Sequence, residues 1–351
     1  MSRDTIPMQV GPIHHDLPGV MKMNLILQGD VILRTDLEFG YSHRKIESLL
    51  QKNEWLSSFI FVDRLDSDSS FFYEWAYAQA VEELCNFQVP KRAQRIREIF
   101  ADLTVIAGHL LYLARMMRAL RFDTAYHYLL REREVVLDLF ELLAGARSNM
   151  NYLRYGGVSQ DISEGFLQRV FDLSTQFLLR TAEYKAVMFE NASLRSRLSG
   201  LAVLSPDAIQ QFNLDGPNVR AMNPLESQMI IAAVGGDALS RVETRMSEII
   251  SKFLHLRELV DQVPQGDFRL FDYDRDFSVP AGEVFQSVEG HRGEIALHLI
   301  SDGTEKPKRV AWRTPSQKMV QAIPSLLKGL PVHELSVALF SLDLSVSEVD
   351  K

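Results

Sequence analysis

The chain has almost no sulfur chemistry to offer. Cys85 is its one cysteine among 351 residues. That excludes an intramolecular disulfide framework, and any thiolate-rich metal or iron–sulfur site built by this chain alone. It fits a reducing compartment. Residues 1–20 lack the basic-then-apolar pattern of a secretion signal. The longest apolar stretch, 99–120, carries Asp102, His109, Arg115 and Arg118. A membrane span calls for about 20 residues nearly free of charge, so the expectation is a soluble chain or one held at a membrane by partners. Basic charge is short as well: 38 basic against 46 acidic residues give −8, which does not favour nucleic acid as a partner. Walker loops, GxGxxG, HExxH, CxxC and nucleophile elbows are missing.

What the chain does have is apolar content, 46%, enough for a sizeable core. Residues 1–10 read as a flexible arm. Residues 20–27 and 31–37 read as a hairpin around Gln28-Gly29-Asp30. A short helix is expected over 43–52, opened by His43 and Arg44. From 70 to about 201 the pattern is helical. Ile96, Ile99, Phe100, Leu103, Ile106, Leu110 and Leu113 recur at three- and four-residue steps, the stripe of a long amphipathic helix over 91–120. Comparable helices are expected over 72–86, 124–146, 166–189 and 237–263, with a less regular one over 190–201. The Gly156-Gly157 turn suits a close backbone approach. A second hairpin flanks Ser301-Asp302-Gly303, and short helices follow over 315–328 and 332–342. The fold class is therefore mainly α, a helical bundle with small peripheral β-hairpins near the N- and C-terminal parts. Its parts are an arm (1–10), an N-terminal hairpin and loop region (11–69), a bundle core (70–263) and a C-terminal α+β region (264–351), together one composite domain.

Local chemistry is ambiguous. His14-His15 offers two imidazoles for metal ligation or proton exchange; the other reading is a pair of surface residues. His43-Arg44 reads as a solvated first turn. Glu132-Arg133-Glu134 reads as a salt-bridged helix face, His109 as a core histidine, and Cys85, Met116 and Met117 as packing.

Motif order is more informative than any one motif. Gly11-Pro12-x-His14, then Gly40-Tyr41-x-His43-Arg44-x-Ile46-Glu47, then Asp63-Arg64-Leu65-Asp66 resembles the D-type large subunit of respiratory complex I. This is the quinone-site large subunit of NADH-quinone oxidoreductase, related to the large subunit of nickel–iron hydrogenases. The resemblance continues through Val89-Pro90-x-Arg92-Ala93-Gln94, His109-Leu110-Leu111 and Glu132-Arg133-Glu134. It runs on through Tyr152-x-Arg154-x-Gly156-Gly157, Val279-Pro280-Ala281-Gly282-Glu283, Leu342-Asp343 and Glu348-Val349-Asp350, covering nearly the whole chain in order. Residues 222–236 look shortened against the family.

The resemblance implies a hydrogenase large-subunit-like bundle. The chain would form the quinone-reduction site with a B-type iron–sulfur small subunit and couple electron transfer to ion translocation. Further partners would be a C-type subunit, other peripheral-arm subunits and a membrane-arm subunit. Its place would be peripheral, on the cytoplasmic side of the inner membrane. The cluster would belong to the neighbouring iron–sulfur subunit, with His43 and Arg44 close to it. NADH would be oxidised elsewhere. The implied quinone pocket takes in His14, His15, Pro18, Gly19 and Ser67. Three positions depart from the family pattern. The loop normally reads Gly-Pro-x-His-Pro-x-x-His-Gly, and its second histidine, the quinone ligand, is replaced by Pro18. The family tyrosine after Arg-Leu-Asp is Ser67, and the helix aspartate is Ala119. The hydrogenase metal site is ruled out, since its two CxxC regions read Phe71-Phe72-Tyr73-Glu74 and Leu342-Asp343-Leu344-Ser345. A non-catalytic paralogue with a structural or assembly role is the alternative.

Overall fold

Helices carry just over half of the chain. The computed structural model describes residues 5–222, 235–271 and 277–351, and is 53% helical and 15% strand. The expected shortening at 222–236 falls largely on residues outside the described ones.

The chain opens with an antiparallel sheet of β1 (Thr5–Val10), β2 (Lys22–Gln28) and β3 (Val31–Glu38), in the order β1-β2-β3. The 28–30 turn falls where Gly29 takes φ 64°. The expected arm is in fact a strand from Thr5 onward, paired with β2 in the register Thr5↔Gln28 to Val10↔Met23. Its sequence hides this, because five of its six residues are exposed and no alternation shows. α1 (Ile46–Lys52) starts three residues later than expected, after Lys45 in the left-handed region. His43 and Arg44 thus sit in the preceding loop.

After α2 (Phe59–Val62) comes α3 (Ser70–Cys85), then α4 (Lys91–Ala119) and α5 (Asp123–Ala144). α4 is the axis of the core. Its stripe residues Ile96, Ile99, Leu103, Ile106, Leu110 and Leu113 are all buried, each worth about 1.5–3 kcal/mol of transfer free energy. By length and composition α4 could cross a membrane, but 89% of its most apolar window is buried inside the protein, as in the core helix of a globular bundle. Phe100 stacks on Tyr152 with ring centroids 4.5 Å apart. Gly145 ends α5 at φ 74°, the left-handed stop that glycine suits.

The loop after α5 holds two short strands, β4 (Leu153–Arg154) and β5 (Gly157–Val158). Two buried carboxylates of α3 pin it. Glu74 accepts from the Tyr152 and Leu153 amides, both at 3.0 Å, and Glu82 accepts from the Gly156 amide at 2.7 Å. The close approach expected at Gly157 is observed: a Cβ there would lie 2.4 Å from the Phe268 carbonyl.

α6 (Glu164–Tyr184) continues into a π-turn over Lys185–Phe189. α7 (Ala192–Leu198), α8 (Pro206–Phe212) and α9 (Pro217–Arg220) lead to α10 (Ala238–Asp261), which packs on α4 and α6. The second sheet has three strands rather than two: β6 (Gly282–Gly290), β7 (Gly293–Ser301) and β8 (Arg309–Arg313), antiparallel in that order. β6 and β7 pack on α3. α11 (Pro315–Leu327) carries a capping box between Thr314 and Gln317. The chain closes with α12 (Leu335–Ser341) and α13 (Val346–Val349).

Candidate functional site: a loop seated on the C-terminal segment

The 11–19 loop is held by its backbone. Gly11 has φ +94°, and a Cβ there would meet the Met21 carbonyl at 2.2 Å, so only glycine fits. The Met21 amide donates to the Pro12 carbonyl at 3.1 Å and the Leu17 amide to the His14 carbonyl at 3.2 Å. Leu17 and Met21 are buried, while His14 and His15 face solvent with rings stacked at 4.5 Å. Asp16 Oδ2 lies 3.3 Å from His15 Nε2. At the far end of the loop, a Cβ on Gly19 would fall 2.8 Å from Val346 Cβ and Cγ2. Backbone and side chain are in contact there with no space between.

The same C-terminal segment gathers the other expected residues. Ser345 Oγ donates to Asp66 Oδ1 at 2.6 Å. Pro18 and Ser67 are the chain neighbours of these two contacts, at Gly19 and Asp66. Arg44 donates to the carbonyls of Arg64 (2.5 Å), Leu65 (3.1 Å) and Ser347 (3.4 Å). His43 Nδ1 lies 3.1 Å from the Asp350 carbonyl. The Asp350 carboxylate accepts from the amides of Gly40 (2.7 Å) and Ser42 (2.8 Å), and Lys351 pairs with Glu47 at 2.9 Å. Ser67 is exposed and Pro18 half-buried. Ala119 ends α4 half-buried. His15, with 67% of its side chain exposed, turns to Asp16.

Behind this seam lies a buried ionic cluster that no local motif assembles. Arg292 donates to Asp66 at 2.6 Å, to Ser69 Oγ at 3.0 Å and to Asp68 at 3.2 Å. It also lies 3.6 Å from Asp343 and 3.8 Å from Glu348. Arg245 pairs with Asp343 at 3.2 Å, and Arg115 with Asp68 at 3.1 Å. Glu348 accepts from the Ser316 amide at 3.2 Å and from the Ser316 hydroxyl. Burial alone would raise the carboxyls of Asp66, Asp343 and Glu348. For Asp66 and Asp343 that push is overridden, chiefly by the Arg292 guanidinium, and both are held below the usual carboxylate range. For Glu348 burial wins over Arg292, and its pKa rises to about 7. The cluster can therefore change charge near neutral pH.

His291 reaches Ser69 at 3.4 Å and fills the space beside Gly108, where a Cβ would lie 2.6 Å from its ring. Burial, reinforced by Arg292, lowers its pKa well below the ordinary histidine value, so it is neutral. His109, expected as a core histidine, is fully buried and pairs through Nε2 with Glu248 at 2.7 Å. Glu132-Arg133-Glu134 is salt-bridged as expected, with Glu132 on the buried side of its helix. Glu132 is met by Arg131 (2.7 Å), Arg180 (2.9 Å) and the Tyr184 hydroxyl (2.8 Å). The sequence marks the cluster only through charges inside the Arg64-Leu65-Asp66, Leu342-Asp343 and Glu348-Val349-Asp350 motifs. Arg292 carries no local mark.

The fold and this clasped site define a mainly α protein built on a helical bundle with small antiparallel sheets. The chain superposes on a chain of the membrane-bound sulfane sulfur reductase, an archaeal respiratory membrane complex. The TM-score is 0.93, with 28% identity and full coverage of both chains. The profile of the respiratory-chain NADH dehydrogenase 49 kDa subunit matches residues 120–223 and 267–351. The D-type subunit of NADH-quinone oxidoreductase from Dehalococcoides mccartyi is 34% identical over 98% of each chain. The D-type subunit of F(420)H(2) dehydrogenase from Methanosarcina mazei is 31% identical over 97% of this chain and 96% of its own. The chain belongs to the 49 kDa subunit family of respiratory-chain NADH dehydrogenase. Its similar proteins are named for different substrates: NADH and quinone, F420H2, and sulfane sulfur.

Proposed function

We propose that this chain is the quinone-site subunit of a membrane-bound, complex I-type oxidoreductase. With an iron–sulfur small subunit it walls the pocket in which quinone is reduced, and it links that reduction to ion translocation. The observation that supports the reading is a common seat: Gly19 rests on Val346 and Asp66 accepts from Ser345, and Gly19 and Asp66 are the chain neighbours of Pro18 and Ser67. C-type and membrane-arm partner subunits hold it peripherally on the cytoplasmic side of the membrane. Arg44, fixed by three carbonyls, keeps a cation where the neighbouring cluster would feel it.

Quinone reduction takes two electrons and two protons at the headgroup oxygens. Pro18 has neither an N–H nor a side-chain donor, and the Ser67 hydroxyl lacks the reach of a phenol. Protonation of the headgroup then depends on groups outside those two positions. A positioned proton donor contributes on the order of 10²–10⁴ in rate. In the assembled complex, Pro18→His combined with Ser67→Tyr is expected to raise quinone reductase activity by about tenfold or more. Full activity without any rise on restoration would show that the two substitutions do not handicap the site. His15→Ala in the same assay is expected to leave the rate unchanged, and a tenfold loss would instead make His15 the replacement ligand.

The combined loss at Pro18, Ser67 and Ala119 favours a second reading, a non-catalytic paralogue with a structural or assembly role. Absence of quinone reductase activity both before and after restoration, in a complex that still assembles, would establish it.

A further inference from the structure

We propose that His14, His15 and Asp16 form a binding site for one divalent transition cation of the Zn²⁺ type. The proposal does not rest on quinone binding, although His14 and His15 belong to the implied quinone pocket, and its test reads cation binding alone. One donor atom from each of the three residues lies within 4.8 Å of the others. His15 Nε2 is 3.3 Å and His14 Nδ1 3.8 Å from Asp16 Oδ2. Tetrahedral zinc with bonds of about 2.0–2.2 Å to nitrogen and oxygen sets its donors roughly 3.3–3.5 Å apart. Of the three donor pairs, His15–Asp16 already has that spacing, His14–Asp16 is wider, and His14–His15 lies within the 4.8 Å limit, so closure on an ion requires side-chain rotation.

The backbone supplies the preorganisation. Gly11 has no space for a side chain, the Pro12–Met21 and His14–Leu17 amide bonds close the loop, and buried Leu17 anchors it. The two imidazoles are stacked face to face at 4.5 Å on the solvent face, and a turn of the rings would let their in-plane lone pairs converge on one ion. At His14 Nδ1 the cation would replace a long bond, 3.3 Å, from the Asp16 amide. That amide is in an exposed loop, where water can take over. Two imidazoles and one carboxylate suit Zn²⁺ or Co²⁺, whereas Mg²⁺ and Ca²⁺ require oxygen-rich shells of six or more ligands. The remaining positions would be filled by water, so the site is open. Both imidazoles would be turned outward, away from the Gly19–Val346 seam.

The test uses the purified full chain. Zn²⁺ is titrated by calorimetry, and Co²⁺ is followed by its visible absorption. One equivalent is expected to bind. Its affinity should fall at least tenfold in His14→Ala, His15→Ala and Asp16→Asn, and should be unaffected by excess Mg²⁺. His298→Ala, which removes an imidazole from the separate His298–Glu283 pair (2.7 Å), should not change it. An unchanged thermal midpoint in the loop variants separates lost binding from lost fold. Equal stoichiometry and affinity in wild type and all three loop variants would overturn the assignment.

Discussion

The two walls of the site are built on opposite principles. The 11–19 loop is fixed by its backbone and leaves its polar side chains in water. The cluster around Arg292 is fixed by its side chains, and its central members Asp66, Arg292, Asp343 and Glu348 are withdrawn from water. A wall of the first kind can change its side chains at little cost, because an exposed group gives up little when replaced. A wall of the second kind cannot, since each charge is the counterion of another. Pro18 lies in the first wall; Ser67 sits between Asp66 and Asp68 of the second, but its own side chain is exposed. Asp66, Arg292, Asp343 and Glu348 hold one another in place.

The strongest way to break this contrast is Arg292→Met. It leaves Asp66 and Glu348 without the cation that faces them, and Asp343 with Arg245 alone. Removing one partner of a buried pair costs about 3–5 kcal/mol, and the thermal midpoint should drop accordingly. Arg292→Lys, which keeps the charge and loses the fork, should recover part of that loss. A midpoint for Arg292→Met equal to wild type would show that the cluster is not what holds this wall.

A smaller effect is expected from Glu348→Gln, and it depends on pH. The folded carboxyl titrates at about 7, raised from 4.5. Between those values the folded chain binds more protons than the unfolded one, so stability falls as pH rises through the window. At pH 8 the glutamine variant should regain on the order of 1–3 kcal/mol relative to its difference from wild type at pH 4.5. Asp66 and Asp343 act with the opposite sign: their pKa values are lowered, so their contribution is lost only in acid, below about pH 4. Parallel stability curves for wild type and Glu348→Gln from pH 4.5 to 8 would remove Glu348 from the account.

The smallest of the three changes sharpens the contrast where the walls meet. Gly19→Ala places a methyl 2.8 Å from the Val346 side chain and should cost about 1–3 kcal/mol through overpacking. Adding Val346→Ala should recover much of it. A lack of coupling in the double-mutant cycle would mean that the loop does not rest on this segment.

Much of the fold is legible in the sequence, because α5, α6 and the second half of α10 bury one stripe and expose another, while α4 is apolar over the length that the core surrounds. β1 is not, because its exposed residues follow no period of two. β6 is not either, since Val284 and Gly290 are its only buried residues. In the site, Pro18, Gly19, Ser67, His43 and Arg44 stand out through motif order, and the structure brings their surroundings to residues 345–350. The ion cluster stays hidden for a physical reason. Its bonds join residues 226 and 279 positions apart, and no local pattern encodes a partner at that distance.

The Asp350 clasp has a further consequence, in time rather than in space. Its two bonds reach back 310 and 308 residues, to Gly40 and Ser42. At about 5–20 residues per second of synthesis, the N-terminal sheet and loop leave the ribosome roughly 15–60 s before the segment they rest on. During that interval the inner face of the loop and the lone carboxylate of Asp66 have no seat. The contacts of Gly40, Ser42 and Asp66 with the C-terminal segment can therefore form only once residues 345–350 have been made.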